Sequence, residues 1–115
     1  MGGRRYHEEV WYVASAFFKS EHLEQTDDRP ALWEEMLLLI DAADDHDATR
    51  QAEDIARSKE HEYEVLLPTP HVVRWTLVKI ERAHLVDGPL EHGAEIFSRF
   101  LRKTEAESLL TPFED

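Results

Sequence analysis

The sequence has no cysteine, few glycines and no long apolar run, and each shortage removes a class of function. Without cysteine there is no disulfide framework, thiolate metal site, iron–sulfur cluster or cysteine nucleophile. The four glycines form neither GxGxxG nor GxxxxGK, which excludes those phosphate-binding loops. The longest aliphatic run, residues 36–40, falls far short of the ~20 apolar residues that span a bilayer. We therefore expect a cytoplasmic protein with no membrane partner.

Basic residues are also scarce. The 115 residues include 13 Lys and Arg against 25 Asp and Glu, which gives a formal net charge of −12 at pH 7. This balance opposes the phosphate neutralisation on which nucleic-acid affinity depends, and it equally disfavours anionic membrane surfaces. A weaker nucleic-acid hypothesis rests on the more basic later strands, with Trp75 or Phe97 stacking on bases.

The apolar content is sufficient for one folded domain. The chain is 42% hydrophobic and contains 3 Trp, 5 Phe and 3 Tyr, which is too apolar for a disordered protein. A chain of this length can bury a core without a metal or disulfide. We expect a flexible N-terminal segment at residues 1–9, a single domain at residues 10–110 and a C-terminal tail at residues 111–115.

Apolar patterns predict five strands. Residues 10–20 are apolar on both alternating sets, which is typical of a strand covered on both faces. A polar loop at residues 21–31 follows. The next segment could form a helix by propensity, but its five-residue aliphatic block between turn signals favours a strand. The apolar phase shifts after Leu77, which indicates a bulge or burial on both faces. The four later predicted strands are residues 32–42, 62–67, 72–86 and 94–102.

Two helices are predicted. For the first, over residues 45–59, Asp44 is a candidate N-cap, and acidic residues occupy the first turn, where the helix dipole favours them. Small residues on its buried side should let it lie close to a sheet. Thr104 and Glu107 match a capping box, which predicts a short helix over residues 104–110. The apolar stripe of the first helix is Ala48, Ala52, Ile55 and Ala56.

The predicted order is β-β-α-β-β-β with a short C-terminal helix. It indicates an α+β fold with a five-stranded, largely antiparallel sheet and the main helix on one face. Because the first two strands are apolar on both faces, the second face also needs a cover. Either the C-terminal segment or a second copy of the chain can supply it. Since a short tail covers little area, we favour a homodimer.

The negative charge is concentrated in one region. Residues 21–64 carry fifteen acidic and four basic side chains, whereas residues 65–104 carry four acidic and six basic ones. An acidic helix often serves solubility alone; the functional interpretation is a patch that binds a basic protein, as an inhibitor or immunity protein does. The candidate partner-binding residues are Asp44, Asp45, Asp47, Glu53 and Asp54.

The seven histidines lack metal-ligand spacing. No pair has the i,i+4 spacing of an HExxH site or forms a His-x-His strand pair. The nearest candidates, His84, Glu91 and His92, flank a turn and can converge on a hairpin. We interpret the histidines as surface residues and expect no metal and no cofactor. The sequence contains no GxSxG nucleophile elbow, and we assign no catalytic residue.

Polar residues inside apolar strands form one candidate ligand site. Glu34 and Glu35 follow Trp33, and strand alternation sends one carboxylate to each face. A carboxylate at the sheet interior needs a partner, which the Ser98-Arg99 pair can supply, with Arg74 and Lys19 as others. The result is either a structural ion pair or a pocket for a polar ligand. The candidate pocket residues are Trp33, Glu34, Glu35, Trp75, Ser98 and Arg99.

The same region carries a family resemblance. A Trp-Tyr-x-Ala strand at residues 11–14, Trp-Glu-Glu at residues 33–35 and Phe-Ser-Arg at residues 97–99 occur in order. In these motifs the chain resembles the bacterial family called domain of unknown function 4288, over about residues 10–110. The resemblance implies a bacterial origin and an α+β fold, and it implies no activity or site residue.

We therefore expect a dimeric, non-enzymatic protein-interaction module that binds a basic partner. This hypothesis rests on the missing catalytic signatures, the regional charge and the doubly apolar strands. The alternative is a small-molecule binder or enzyme that uses Glu34 or Glu35 together with Arg99.

Overall fold

A four-stranded antiparallel sheet with one helix on it forms the body of the protein, as seen in a computed structural model that describes residues 10–24 and 30–111. The strand order across the sheet is β2-β1-β4-β3. Thus β1 and β4 are central, and β2 and β3 are the edges. The elements in chain order are β1 (Trp11–His22), β2 (Trp33–Asp41), α1 (Asp45–Arg57), β3 (His61–Val65), β4 (His71–Leu85) and α2 (Lys103–Leu110).

The sequence correctly predicted the α+β class, the antiparallel sheet and the two helices. The prediction of a fifth strand was wrong. Residues 94–102 form no strand, and the order is β-β-α-β-β-α. A strand requires a hydrogen-bonded neighbour. This segment pairs with neither sheet edge, and its half-buried residues Ala94 and Phe97 are three apart, which is not a strand spacing.

Helix α1 packs on one face of the sheet through three buried alanines, Ala48, Ala52 and Ala56. Ala48 and Ala52 lie among buried Tyr12 and other residues of β1 and β2. Small side chains let the helix backbone approach the sheet closely, as the sequence predicted. Ile55, also predicted for this stripe, is instead largely exposed.

The caps of the two helices follow the sequence prediction in one case only. Asp44 is the N-cap of α1, and its Oδ1 accepts a hydrogen bond from the Asp47 backbone N–H at 2.8 Å. Helix α2 is capped by Arg102 and Glu105 rather than by Thr104 and Glu107, so the predicted capping box was two residues too late. Thr104 already lies inside the helix.

Two bulges explain the shifted apolar phase of β4. Along β1, Ser15 pairs with Arg82 but Ala16 pairs with Ile80, and a second register shift occurs after Phe17. Each shift adds one residue to β4 and moves the next inward-facing position by one. The α1 side of β4 is therefore lined by Trp75, Leu77, Ile80 and Ala83.

Some predictions fall outside the described residues. These are the flexible segment at residues 1–9, the middle of the polar loop, at residues 25–29, and residues 112–115 of the tail. In the described part of the chain, no helix combines the length and apolarity that a bilayer crossing requires.

Candidate interaction surface

The sheet face opposite α1, here called the outer face, is covered at its centre and open along β2. Val13 and Ser15 of β1 are buried, Ser15 completely. Their neighbours on β2, Leu39 and Leu37, are 49% and 48% exposed, and Trp33 farther along the strand is 56% exposed. Three large apolar side chains of one edge strand therefore lie in a row in water.

The cover over the centre comes from the chain that follows β4. The ring of Phe97 meets the ring of His84 edge-on at 5.5 Å, and the Arg82 guanidinium lies 5.8 Å from the Phe97 ring centroid. Since His84 pairs with Val13 and Arg82 with Ser15, Phe97 lies over the β4 side of the outer face. The irregular segment thus covers the outer face of β4 around His84.

Beyond Phe97 the chain leaves the sheet. Residues 99–110, here called the arm, include Phe100, which is fully exposed, and Leu110, which is 81% exposed. Within residues 10–24 and 30–111, α2 packs against no other helix or strand and buries none of its residues. The arm therefore presents exposed apolar side chains, and its helix has no packing partner among the described residues.

The arm has local order of its own. The Arg102 backbone N–H and side-chain Nε both donate to Glu105 Oε1, at 2.9 and 3.2 Å. The side-chain bond from Arg102, followed by the backbone bond, lowers the pKa of Glu105. An open groove of about 390 Å³ lies between the two halves of the arm, lined by Arg99, Leu101, Thr104, Glu105, Ser108 and Leu109.

Glu35 marks the boundary between the covered and open parts of the outer face. Its Oε2 accepts a hydrogen bond of 2.7 Å from the Ser15 hydroxyl. Lys19, a predicted partner of the glutamates, instead places its ammonium 5.4 Å from the Trp33 ring centroid. The structure thus brings Trp33 and Glu35 to one face, beside Ser15 and Lys19.

The other candidate pocket residues lie elsewhere. Trp75 lies on the α1 face, and its indole N–H donates to the Tyr63 hydroxyl at 3.3 Å. Glu34 is exposed, and strand alternation directs it away from Glu35. Ser98 donates to Glu95 at 3.1 Å. Among the described residues, no hydrogen bond or salt bridge connects Arg99 with either glutamate, so the six residues form no single cleft.

The acidic residues of α1 are largely engaged within the helix. Asp47 accepts bonds from the Ala43 backbone N–H, the Gln51 amide and the Arg50 guanidinium. These contacts, with the Ala43 bond first, lower the pKa of Asp47. The remaining pairs on this surface, Arg50 with Asp54 and Arg57 with Glu53, are longer, at 3.9 and 3.8 Å.

A histidine pair was missed by the sequence interpretation. His71 is buried; its Nδ1 lies 2.7 Å from the Thr69 carbonyl and its Nε2 lies 2.9 Å from His22 Nδ1. Because a carbonyl only accepts, His71 Nδ1 donates to Thr69, and in neutral His71 the other nitrogen, Nε2, accepts from His22 Nδ1–H. Only the β1–β4 register brings these residues together, and sequence spacing does not reveal it. No cluster of three or more potential metal ligands occurs in the described ranges.

Comparison with known proteins gives one match. The sequence model of the family described as Domain of unknown function (DUF4288) matches residues 11–98, or 88 of the 115 residues. The matched range contains the whole sheet, α1 and Phe97, and it ends just before the arm. No curated protein and no solved structure matches the chain.

Proposed function

This chain belongs to the DUF4288 family, and we propose that it is a cytoplasmic homodimer that acts as a non-enzymatic protein-interaction module. The observation that carries the proposal is the open, apolar β2 side of the outer face. Trp33, Leu37 and Leu39 are each about half exposed there, although Ser15, on the same face of the adjacent strand β1, is fully buried. An exposed apolar patch of this kind is typical of an interaction surface.

Apolar burial supplies the driving force for association. Full burial of one leucine side chain is worth roughly 1.5–3 kcal/mol, so covering Leu37, Leu39 and Trp33 favours any arrangement that removes them from water. In a twofold dimer the same patch is used by both copies, which doubles the gain. Because the chain has no cysteine, such a dimer must be held together by packing and charge rather than by disulfides.

A pair of matched substitutions tests the dimer. Leu37→Glu places a charge in the open part of the outer face, whereas Leu66→Glu makes the same change at the opposite edge of the sheet, after β3. We expect sedimentation velocity to show Leu37→Glu as a monomer and Leu66→Glu as a dimer. A dimer unaffected by Leu37→Glu would place the interface elsewhere, and a monomeric unsubstituted chain would refute the dimer.

The second part of the proposal is a basic protein partner on the acidic surface of α1. Asp45, Glu53 and Asp54 are exposed there, and Arg50 and Arg57 offset part of the charge. A lysine-rich peptide is the probe: its fluorescence anisotropy with the protein should rise at low salt and fall as salt increases. Glu53→Gln/Asp54→Asn should weaken this binding, while Glu81→Gln on β4 should not. Equal binding by all three proteins would refute a partner site on α1.

The small-molecule alternative has less support. Its carboxylates and Trp75 are divided between the two sheet faces, and Arg99 lies in the arm. A depression of about 220 Å³ beside Trp75 is lined by Glu60, His61, Glu62 and Arg74, and Glu62 is already bonded to Arg74 at 2.6 Å.

A further inference from the structure

Resting on the proposed homodimer, we propose that the two copies exchange arms, so that residues 99–110 of each copy lie on the open β2 side of the outer face of the other. The proposal names the occupant of the open patch, which the dimer alone does not. It also gives α2 a packing partner, which the described part of its own chain does not provide.

The shape of the chain supports exchange. Its radius of gyration is 18.2 Å, whereas a compact domain of this size has one of about 13 Å. Helix α2 lies away from the sheet and from α1, with no packing contact to either among the described residues. An arm that extends from a packed domain and carries its own helix is the form that segment exchange between identical copies uses.

The apolar surfaces of the arm and of β2 complement each other. The arm exposes Phe100 completely and Leu109 by 55%. The patch of Trp33, Leu37 and Leu39 is a row of exposed apolar side chains on the β2 side of the outer face. Docking of the arm would therefore bury exposed apolar side chains on both partners at once, which the isolated chain cannot do with the arm extended.

The charges also complement each other. Arg99, Arg102 and Lys103 make the start of the arm basic, and neither Arg99 nor Lys103 forms a salt bridge among the described residues. The facing strand carries Glu35 within the apolar row. Arginine and carboxylate can form two parallel hydrogen bonds. We assign Arg99 of one copy to Glu35 of the other.

The position of Phe97 favours exchange over folding back. Phe97 fixes the chain over Arg82 and His84 of β4, and α2, which follows it, makes no packing contact with its own β2 among the described residues. In the exchanged dimer, the arm contacts the same residues of the partner copy that it would contact by folding back onto its own chain. Exchange therefore needs no additional binding surface. The dimer joins two patches and two arms by one twofold axis.

Cross-linking of two singly substituted chains tests the exchange. Because the chain has no cysteine, each introduced cysteine is unique. A tagged full-length Leu37→Cys chain is mixed with an untagged Leu109→Cys chain and treated with a short bismaleimide. We expect a cross-linked product containing one tagged and one untagged chain. The control mixture replaces Leu37→Cys with Leu66→Cys, which lies at the far edge of the sheet, and should give little of this product.

The outcomes separate the two proposals. A dimeric protein with equal cross-linking in both mixtures would overturn arm exchange and leave the homodimer standing. A monomeric protein would overturn both. A mixed product that requires Leu37→Cys supports exchange, since two separate chains must contribute to it.

A charge reversal tests the assigned ion pair. Arg99→Glu should raise the dimer dissociation constant about tenfold, which is the coupling expected of a close charge pair at an interface. Adding Glu35→Arg to the same chain should restore most of the affinity, because each arm again meets an opposite charge. Failure of the second substitution to restore the dimer would overturn the Arg99–Glu35 assignment.

Discussion

Ser15 and Glu35 are joined across adjacent strands by a hydrogen bond of 2.7 Å, which runs from the serine hydroxyl to the glutamate Oε2. Ser15 is fully buried, whereas Glu35 is exposed at the start of the open patch. The bond therefore satisfies a buried hydroxyl and holds one carboxylate oxygen in place at the boundary of that patch. Within the described residues, the other oxygen has no hydrogen-bond or salt-bridge partner.

The Ser15–Glu35 bond should contribute measurably to stability. Ser15→Ala removes the donor without changing the fold, and we expect the free energy of unfolding to fall by about 1 kcal/mol. Urea denaturation measures the change. Ser98→Ala is the control, because its bond to Glu95 is exposed and longer at 3.1 Å. An equal loss from both substitutions would contradict a special role for the buried serine.

Loss of the buried histidine, His71, should reduce the stability of the fold more than loss of an exposed histidine. His71→Leu removes the bonds to Thr69 and His22 and leaves their polar groups without that partner. We expect a loss of about 1–3 kcal/mol in the free energy of unfolding, because two hydrogen bonds worth about 0.5–1.5 kcal/mol each are removed. His92→Ala, at an exposed position, should change stability little. Thermal denaturation measures both variants. Equal losses of stability for His71→Leu and His92→Ala would contradict a structural role for the buried histidine.

Asp47 should make the stability of α1 depend on pH. The Ala43 and Arg50 bonds lower its folded pKa, so the folded protein favours the carboxylate. This stabilisation is complete above the unfolded pKa of about 3.9 and is lost as the pH falls through the lower folded pKa. Asp47→Asn should therefore be less stable than the unsubstituted chain at pH 7. The difference should shrink steadily as the pH is lowered below about 4.

Urea denaturation at a series of pH values measures that difference. Asp54→Asn provides the matched control, since its contact with Arg50 is 3.9 Å and Asp54 is exposed. A difference between Asp47→Asn and the unsubstituted chain that stays constant down to pH 3 would show that the carboxylate charge is not responsible.

Local patterns predicted much of the fold. Helix α1, its Asp44 cap and its alanine stripe could be read directly from residue spacing, because capping and helical periodicity act over a few residues. The shifted apolar phase of β4 correctly left a bulge as one explanation. The motifs at residues 11–14 and 33–35 also predicted the family that the match over residues 11–98 confirmed.

Contacts between distant residues could not be predicted from the sequence. Residues 94–102 alternate like a strand, but Phe97 packs across the outer face and the segment never reaches a sheet edge. The partner of Glu35 is Ser15 rather than the predicted Ser98 and Arg99, since strand register sets which side chains meet. Register also creates the His22–His71 pair. Each of these depends on contacts between residues 20 or more positions apart, or on a cover that has no period of its own.

The molar mass of the full chain in solution tests the central claim most directly. Size-exclusion chromatography with multi-angle light scattering should give twice the chain mass of 13.5 kDa. The Leu37→Glu chain should elute later, at the mass of one chain. A mass of one chain for the unsubstituted protein at micromolar concentration would contradict the dimer, and with it the exchange of arms.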